Sequence, residues 1–119
     1  MKIIWLGHAS FRIEMAGQVL LIDPWLYGNP MLPETAHPKA INGATHILLT
    51  HGHFDHISSA LPLAKEKKIP VVGQFDLVNY WTEHEDIEGI GFNKGFVLAK
   101  TNQEPLDISM SVNLYTSNV

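Results

Sequence analysis

A chain of 119 residues, 45% of them apolar, has the length and composition of one folded domain, residues 1–119, and not of a disordered chain. Its net charge of −4, with only Lys65, Lys67 and Lys68 clustered, argues against nucleic acid or an anionic membrane as partner. The absence of cysteine excludes disulfides, fits a reducing cytoplasm and leaves nitrogen and oxygen as the donors for any metal.

The opening stretch, MKIIWLGHASFRIE, is apolar for only a few residues before His8 and Arg12, too few for a signal-peptide core or a membrane span. Lys2–Leu6 reads as a short buried strand, and SFRIE alternates as a half-buried strand does. Ala16-Gly17-Gln18 is a hairpin turn, and VLLID is an apolar strand ending on the Asp23 carboxylate. Residues 24–44 form a long loop rich in proline, of the kind that tends to be functional or mobile. Thr45–Thr50 is the next buried strand. Ser58 or Ser59 caps a helix to about Lys68, with Pro62 in its first turn. PVVG is a strand, and Gln74–Glu83 is a helix with Phe75, Leu77, Val78 and Trp81 on one face. From Ile87 onward the pattern is strand-like, in FVLA and again in DISMSVNLYT. Interleaved strands and helices predict an α/β or mixed α+β class with a hairpin-rich start.

The chemistry concentrates between the fourth strand and its helix, in LLTHGHFDHIS. Residues two apart on extended backbone point the same way, so His51 and His53 aim two imidazoles at one point. Gly52 lets the chain bend, and Asp55 and His56 turn into the same pocket. Three imidazoles and a carboxylate suit Zn2+ or Mn2+, as one or two ions. Such ions acidify a water to a pKa of about 7 for attack on an ester, lactone, amide or phosphodiester. Asp55 would hold a second ion or orient that water, which makes it the candidate catalytic residue. His37 reads as loop surface, His46 as strand-exposed, and His84, among four acids, as a solvated charge pair. The three tryptophans read as packing, with Trp25 and Tyr27 the best candidates to line a pocket.

THGHFDH matches the T-H-x-H-x-D-H signature of the metallo-β-lactamase superfamily. WLGHASF, LIDPWL with GNP, and GFNKG make the chain resemble bacterial metal-dependent hydrolases related to the ascorbate-6-phosphate lactonases. The resemblance covers most of residues 1–95 and implies the N-terminal half of an αββα sandwich, a mixed sheet with helices on one face. It implies that His51 and His53 hold a first metal, that Asp55 and His56 hold a second, and that Asp23 and His8 are supporting residues. It implies a hydrolase acting on a small ester, lactone or phosphorylated metabolite. Family members are about twice as long. Their next histidine would fall near Thr116 or Ser117, yet no histidine follows His84, and the later aspartate and final histidine would lie beyond Val119. A second expectation therefore stands beside the enzymatic one: a shortened, non-catalytic binding or assembly module that keeps the metal loop. A sheet face made by Ile4, Leu6, Leu20, Ile22, Ile47 and Leu49 would then be bare, and a homodimer would complete the sandwich.

Overall fold

A computed structural model of the chain describes residues 1–92. The alternating run and the apolar run on either side of the Ala16-Gly17 turn pair as expected. Strand β2, Phe11–Met15, and strand β3, Gln18–Ile22, form an antiparallel hairpin. At its turn Ala16 and Gly17 both take positive φ, 51° and 76°, the pair of left-handed residues that matches the twist of the flanking strands. Strand β1, Lys2–Trp5, pairs with the outer side of β2. Its expected burial is corrected: Ile3 and Trp5 are exposed, because β1 lies at the edge of the sheet and only Ile4 packs against the core.

Strands β4 (His46–Leu48), β5 (Val71–Gln74) and β6 (Gly89–Phe92) follow parallel to β3. The result is a mixed sheet of six strands in the order β1-β2-β3-β4-β5-β6. Parallel neighbours need crossovers, and helices supply them. The 24–44 segment is not all loop. It holds a 3-10 turn, Glu34–Ala36, and helix α1, His37–Ile41, with Pro38 in the first turn. Arg12, on β2, fixes this segment by donating to the carbonyls of Ala40 (3.1 Å) and Asn42 (2.7 Å). Helices α2 (Phe54–Ile57) and α3 (Ala60–Lys67) join β4 to β5, and α4 (Phe75–His84) joins β5 to β6. Ser59 occupies the position before α3, but it does not cap it. Its hydroxyl instead accepts the backbone N–H of Leu26, a tertiary contact that no local pattern announces. No helix among the described residues is long and apolar enough to cross a membrane. The expected strands in FVLA and DISMSVNLYT lie outside the described residues.

The core sits between one face of the sheet and the helices. Leu21, Ile47, Leu49 and Val71 pack there against Ala60, Leu63, Val78 and Trp81. Leu20, Leu48, Val72 and Phe92 form a separate buried cluster on the opposite face. The expected bare face is thereby corrected. Leu21 pairs with Ile47, and Leu20 with His46, so the six residues named for it divide between the two faces. Of those six, Leu6, Leu20, Ile47 and Leu49 are buried.

Two expected outcomes follow from this packing. Gly89 lies directly under α4, and a β-carbon there would collide with the Val78 side chain and the Thr82 hydroxyl. Gly89→Ala is expected to cost about 1–3 kcal/mol of stability by overpacking, seen as a lower urea midpoint at unchanged slope. An unchanged midpoint would mean that α4 stands further off the sheet.

The second concerns His46, whose expected exposure is corrected: it is 7% exposed, with its ring beside the Thr45 hydroxyl at 2.9 Å. Burial holds its pKa below the ordinary 6.5, against the opposing pull of Glu88. Below pH 6.5 the unfolded chain therefore takes up a proton that the folded chain resists. The stability tied to neutral His46 is complete above that pH and is lost as pH falls through the folded pKa. His46→Gln should lose less stability than the parent chain between pH 7 and pH 5, by urea midpoints at each pH.

Candidate metal centre

The carboxyl ends of parallel strands share one edge of a sheet, and loops leaving that edge meet. Asp23 follows β3, and Thr50 to His53 follow β4, so this rule brings them together. Asp23 is buried and left-handed, with φ 46°, a conformation that aspartate tolerates better than most residues. Its backbone N–H continues the ladder by donating to the Leu48 carbonyl at 2.9 Å.

The Asp23 carboxylate collects three donors. The Thr50 backbone N–H reaches one oxygen at 2.8 Å. The Thr50 hydroxyl (2.6 Å) and His56 Nδ1 (2.8 Å) reach the other. The hydroxyl has one hydrogen, and donating it to the carboxylate leaves its oxygen to accept from His51 Nδ1, 2.8 Å away. This chain of bonds sets both tautomers: His51 and His56 carry their protons on Nδ1 and leave Nε2 with a free lone pair. Burial, and next the neighbouring His56 ring, push the His51 imidazole below its ordinary pKa, against the pull of Asp23. A neutral ring is the form that binds metal.

The free nitrogens converge. His51 Nε2 lies 3.1 Å from His53 Nδ1. Two nitrogen ligands of a tetrahedral zinc, with bonds of 2.0–2.1 Å, sit about 3.3 Å apart, so this pair has the spacing of two ligands of one ion. Beside it, His8, Asp55 and His56 each bring a ligand atom within 4.8 Å of the others. His8 Nε2 lies 3.2 Å from Asp55 Oδ2, and His56 Nε2 lies 3.7 Å from Asp55 Oδ1. Asp23, His51 and His56 likewise each bring a possible ligand atom within 4.8 Å of the others. Three donors already occupy most of the Asp23 lone pairs, which suits this carboxylate to orienting the neighbouring imidazoles.

All six residues singled out in the sequence, His8, Asp23, His51, His53, Asp55 and His56, are thus at one edge of the sheet. Four supporting residues carried no signal strong enough to assign. Thr50 lies inside the motif yet reads as filler. Ser10 is fully buried, donates to the Asp23 carbonyl (2.6 Å) and accepts the Trp25 N–H (3.0 Å). Asn29, in GNP, donates to the carbonyls of Leu6 (3.3 Å) and Trp25 (3.0 Å) and accepts the Met31 N–H (2.9 Å). Gly7 completes the set at φ 98°: a β-carbon there would sit 2.7 Å from Met31 Cβ. These contacts fix the turn that presents His8, whose ring stands edge-on to Trp25 at 5.2 Å.

The other histidines lie elsewhere. His37, expected on a loop surface, is buried on α1 with Tyr27 edge-on at 5.0 Å. His84, expected in a charge pair, instead stacks on Tyr80 at 4.2 Å and lies 2.9 Å from its carbonyl, one helical turn back. Of the tryptophans, Trp81 is core packing, whereas Trp5 is exposed and donates to the His8 carbonyl at 2.8 Å.

Comparison with known proteins agrees with this architecture. The family model described as the beta-lactamase superfamily domain matches residues 2–105. A UPF0173 metal-dependent hydrolase of Ruegeria pomeroyi is 67% identical over 95 residues, covering 80% of this chain and 41% of that protein. Its counterpart in Paracoccus denitrificans is 62% identical over the same shares. This chain therefore spans about two-fifths of the length of these relatives. Among solved structures, a metallo hydrolase of the archaeon Ignicoccus hospitalis superposes with a TM-score of 0.67 at 24% identity, over 81% of this chain and 41% of its own. An isothiocyanate hydrolase from Delia radicum gut bacteria gives 0.60 at 24% identity, over 79% and 42%. At those identities the likeness is one of fold.

Proposed function

Because the chain belongs to the beta-lactamase superfamily domain family, with the metallo-β-lactamase fold, we propose that it carries the metal loop of a metal-dependent hydrolase acting on a small ester, lactone or phosphorylated metabolite. The observation that carries this reading is the 3.1 Å approach of His51 Nε2 and His53 Nδ1, two imidazole nitrogens at the open end of a parallel strand. On this reading His51 and His53 hold one Zn2+ or Mn2+, and His56 and Asp55 hold a second beside His8. The metal supplies Lewis acidity toward a water and toward the scissile carbonyl or phosphoryl group.

What the protein's own residues do is orientation. Asp23 and Thr50 hold two imidazoles in fixed tautomers before any ligand arrives, which lowers the cost of assembling the site. His8 Nε2 stands 3.2 Å from Asp55 Oδ2 and limits the rotation of that carboxylate. Trp25 backs His8, and His53 is exposed to solvent.

The test is elemental analysis of the purified chain, together with assays on a simple lactone, p-nitrophenyl acetate and bis(p-nitrophenyl) phosphate. At least one equivalent of metal and turnover that chelation abolishes are expected. Metal near zero, with all three substrates untouched after zinc or manganese is added, would overturn the hydrolase reading and leave a binding or assembly module.

A further inference from the structure

A concavity lies behind the metal loop. It has a volume of about 530 Å³, within the range of about 300–1,000 Å³ usual for small-molecule sites. Leu26, Tyr27, Ile41 and Phe54 give it apolar walls. Tyr27 and Phe54 are 70% and 73% exposed, so two large rings stand open to solvent at its rim.

Two polar groups in the same wall lack partners. His37 Nε2 and Ser58 Oγ are buried, and neither has a hydrogen bond among the described residues. His37 as a whole is only 7% exposed. Buried polar atoms are nearly always paired, because desolvation without a partner is costly. Two such orphans just behind the wall of one largely apolar concavity are the groups that a ligand's polar atom would satisfy once the wall gives to admit it.

Helix α2 is the partition between this concavity and the metal centre. Phe54 and Ser58 are four residues apart, hence on one helical face, and both line the concavity. Asp55 and His56 point away from that face, into the metal centre. The loop after β3 divides the same way: Trp25 packs on His8, whereas Leu26 and Tyr27 turn into the concavity.

We infer that this concavity is a binding site, separate from the metal centre, for a small neutral molecule with an apolar body and a hydroxyl or amide group that pairs with His37 and Ser58. An anionic ligand is disfavoured by Glu66, which also lines the wall. A neutral hydroxyl or amide both donates and accepts, as an imidazole and a serine hydroxyl require. The proposal does not depend on the hydrolase reading, because no metal ligand lines the site.

The experiment is a titration of the 119-residue chain with benzyl alcohol and, separately, with toluene, followed by NMR in the presence of EDTA. Saturable shifts are expected at the His37 ring and the Ser58 amide. Benzyl alcohol should bind at least 5-fold more tightly than toluene, the loss expected when buried polar atoms stay unpaired. Ser58→Ala and His37→Phe should each bring the two affinities to within 2-fold. If His37→Phe fails to fold, Ser58→Ala alone decides. No saturable shift, equal affinities in the parent chain, or shifts confined to His51 and His53 would overturn the proposal.

Discussion

Asp23→Ala is expected to destabilise the protein by about 3 kcal/mol or more and to abolish tight metal binding with it. The carboxylate is 3% exposed and serves three donors from two residues. Removing it leaves the Thr50 N–H, the Thr50 hydroxyl and His56 Nδ1 unpaired at once. It also places alanine at φ 46°, where aspartate and asparagine are better tolerated. Asp23→Asn separates these effects. It keeps the backbone tolerance and the oxygen facing the Thr50 N–H, so most of the stability should survive. The amide nitrogen, however, replaces the oxygen that accepts from Thr50 and His56. The Thr50 hydroxyl must then turn toward His51, and both imidazoles are driven to the tautomer that protonates Nε2. Zinc affinity should fall by about 10–100-fold, the usual loss when the residue orienting a metal ligand is removed. Urea unfolding and competition with a chromophoric chelator read the two quantities. If Asp23→Asn binds zinc like the parent chain, Asp23 is a structural brace only.

The same residue shows what a sequence can carry. Asp23 ends the apolar run VLLI and is legible as a strand-terminal carboxylate. That its partners would be Thr50 and His56 follows only once β3 and β4 lie side by side in parallel. The strands themselves were legible because they are buried: VLLI, HIL and VVG are apolar runs bounded by turns. Which face each residue takes was not legible. A shift of one residue in register exchanges the faces, and Leu21 against Ile47 is a fact of pairing, not of pattern. Helix α1 escaped notice because its five residues, HPKAI, are too few to show a period. His37 and His46 have no partners by spacing, so the sequence alone puts them outside. Their burial comes from Tyr27 and from the position of β4 between β3 and β5, contacts distant in sequence. The candidate metal-binding residues are the easiest to read, because His51, His53, Asp55 and His56 lie within six positions and their geometry is largely local.

Local geometry also makes the second large effect separable from stability. His53→Ala is expected to weaken zinc binding by about 100-fold while leaving the urea midpoint almost unchanged. A structural zinc held by four ligands is worth about 10–16 kcal/mol, or roughly 3 kcal/mol for each ligand, and about 1.4 kcal/mol is tenfold in affinity. Loss of one ligand therefore gives about two decades. The fold should not register the change, because the His53 side chain is exposed and its one hydrogen-bonding contact among the described residues is the 3.1 Å approach to His51. His56→Ala is the contrasting case. His56 is partly buried and donates to Asp23 at 2.8 Å, so its removal strips a bond from a buried carboxylate as well as a ligand from the site. It should lower both the midpoint and the affinity. Isothermal titration with zinc and urea unfolding, run on both variants, separate a ligand that only binds metal from one that also holds the fold. If His53→Ala retains parental affinity, the approach of the two rings is an N–H···N contact and not a metal site. The first ion must then be assigned to other donors.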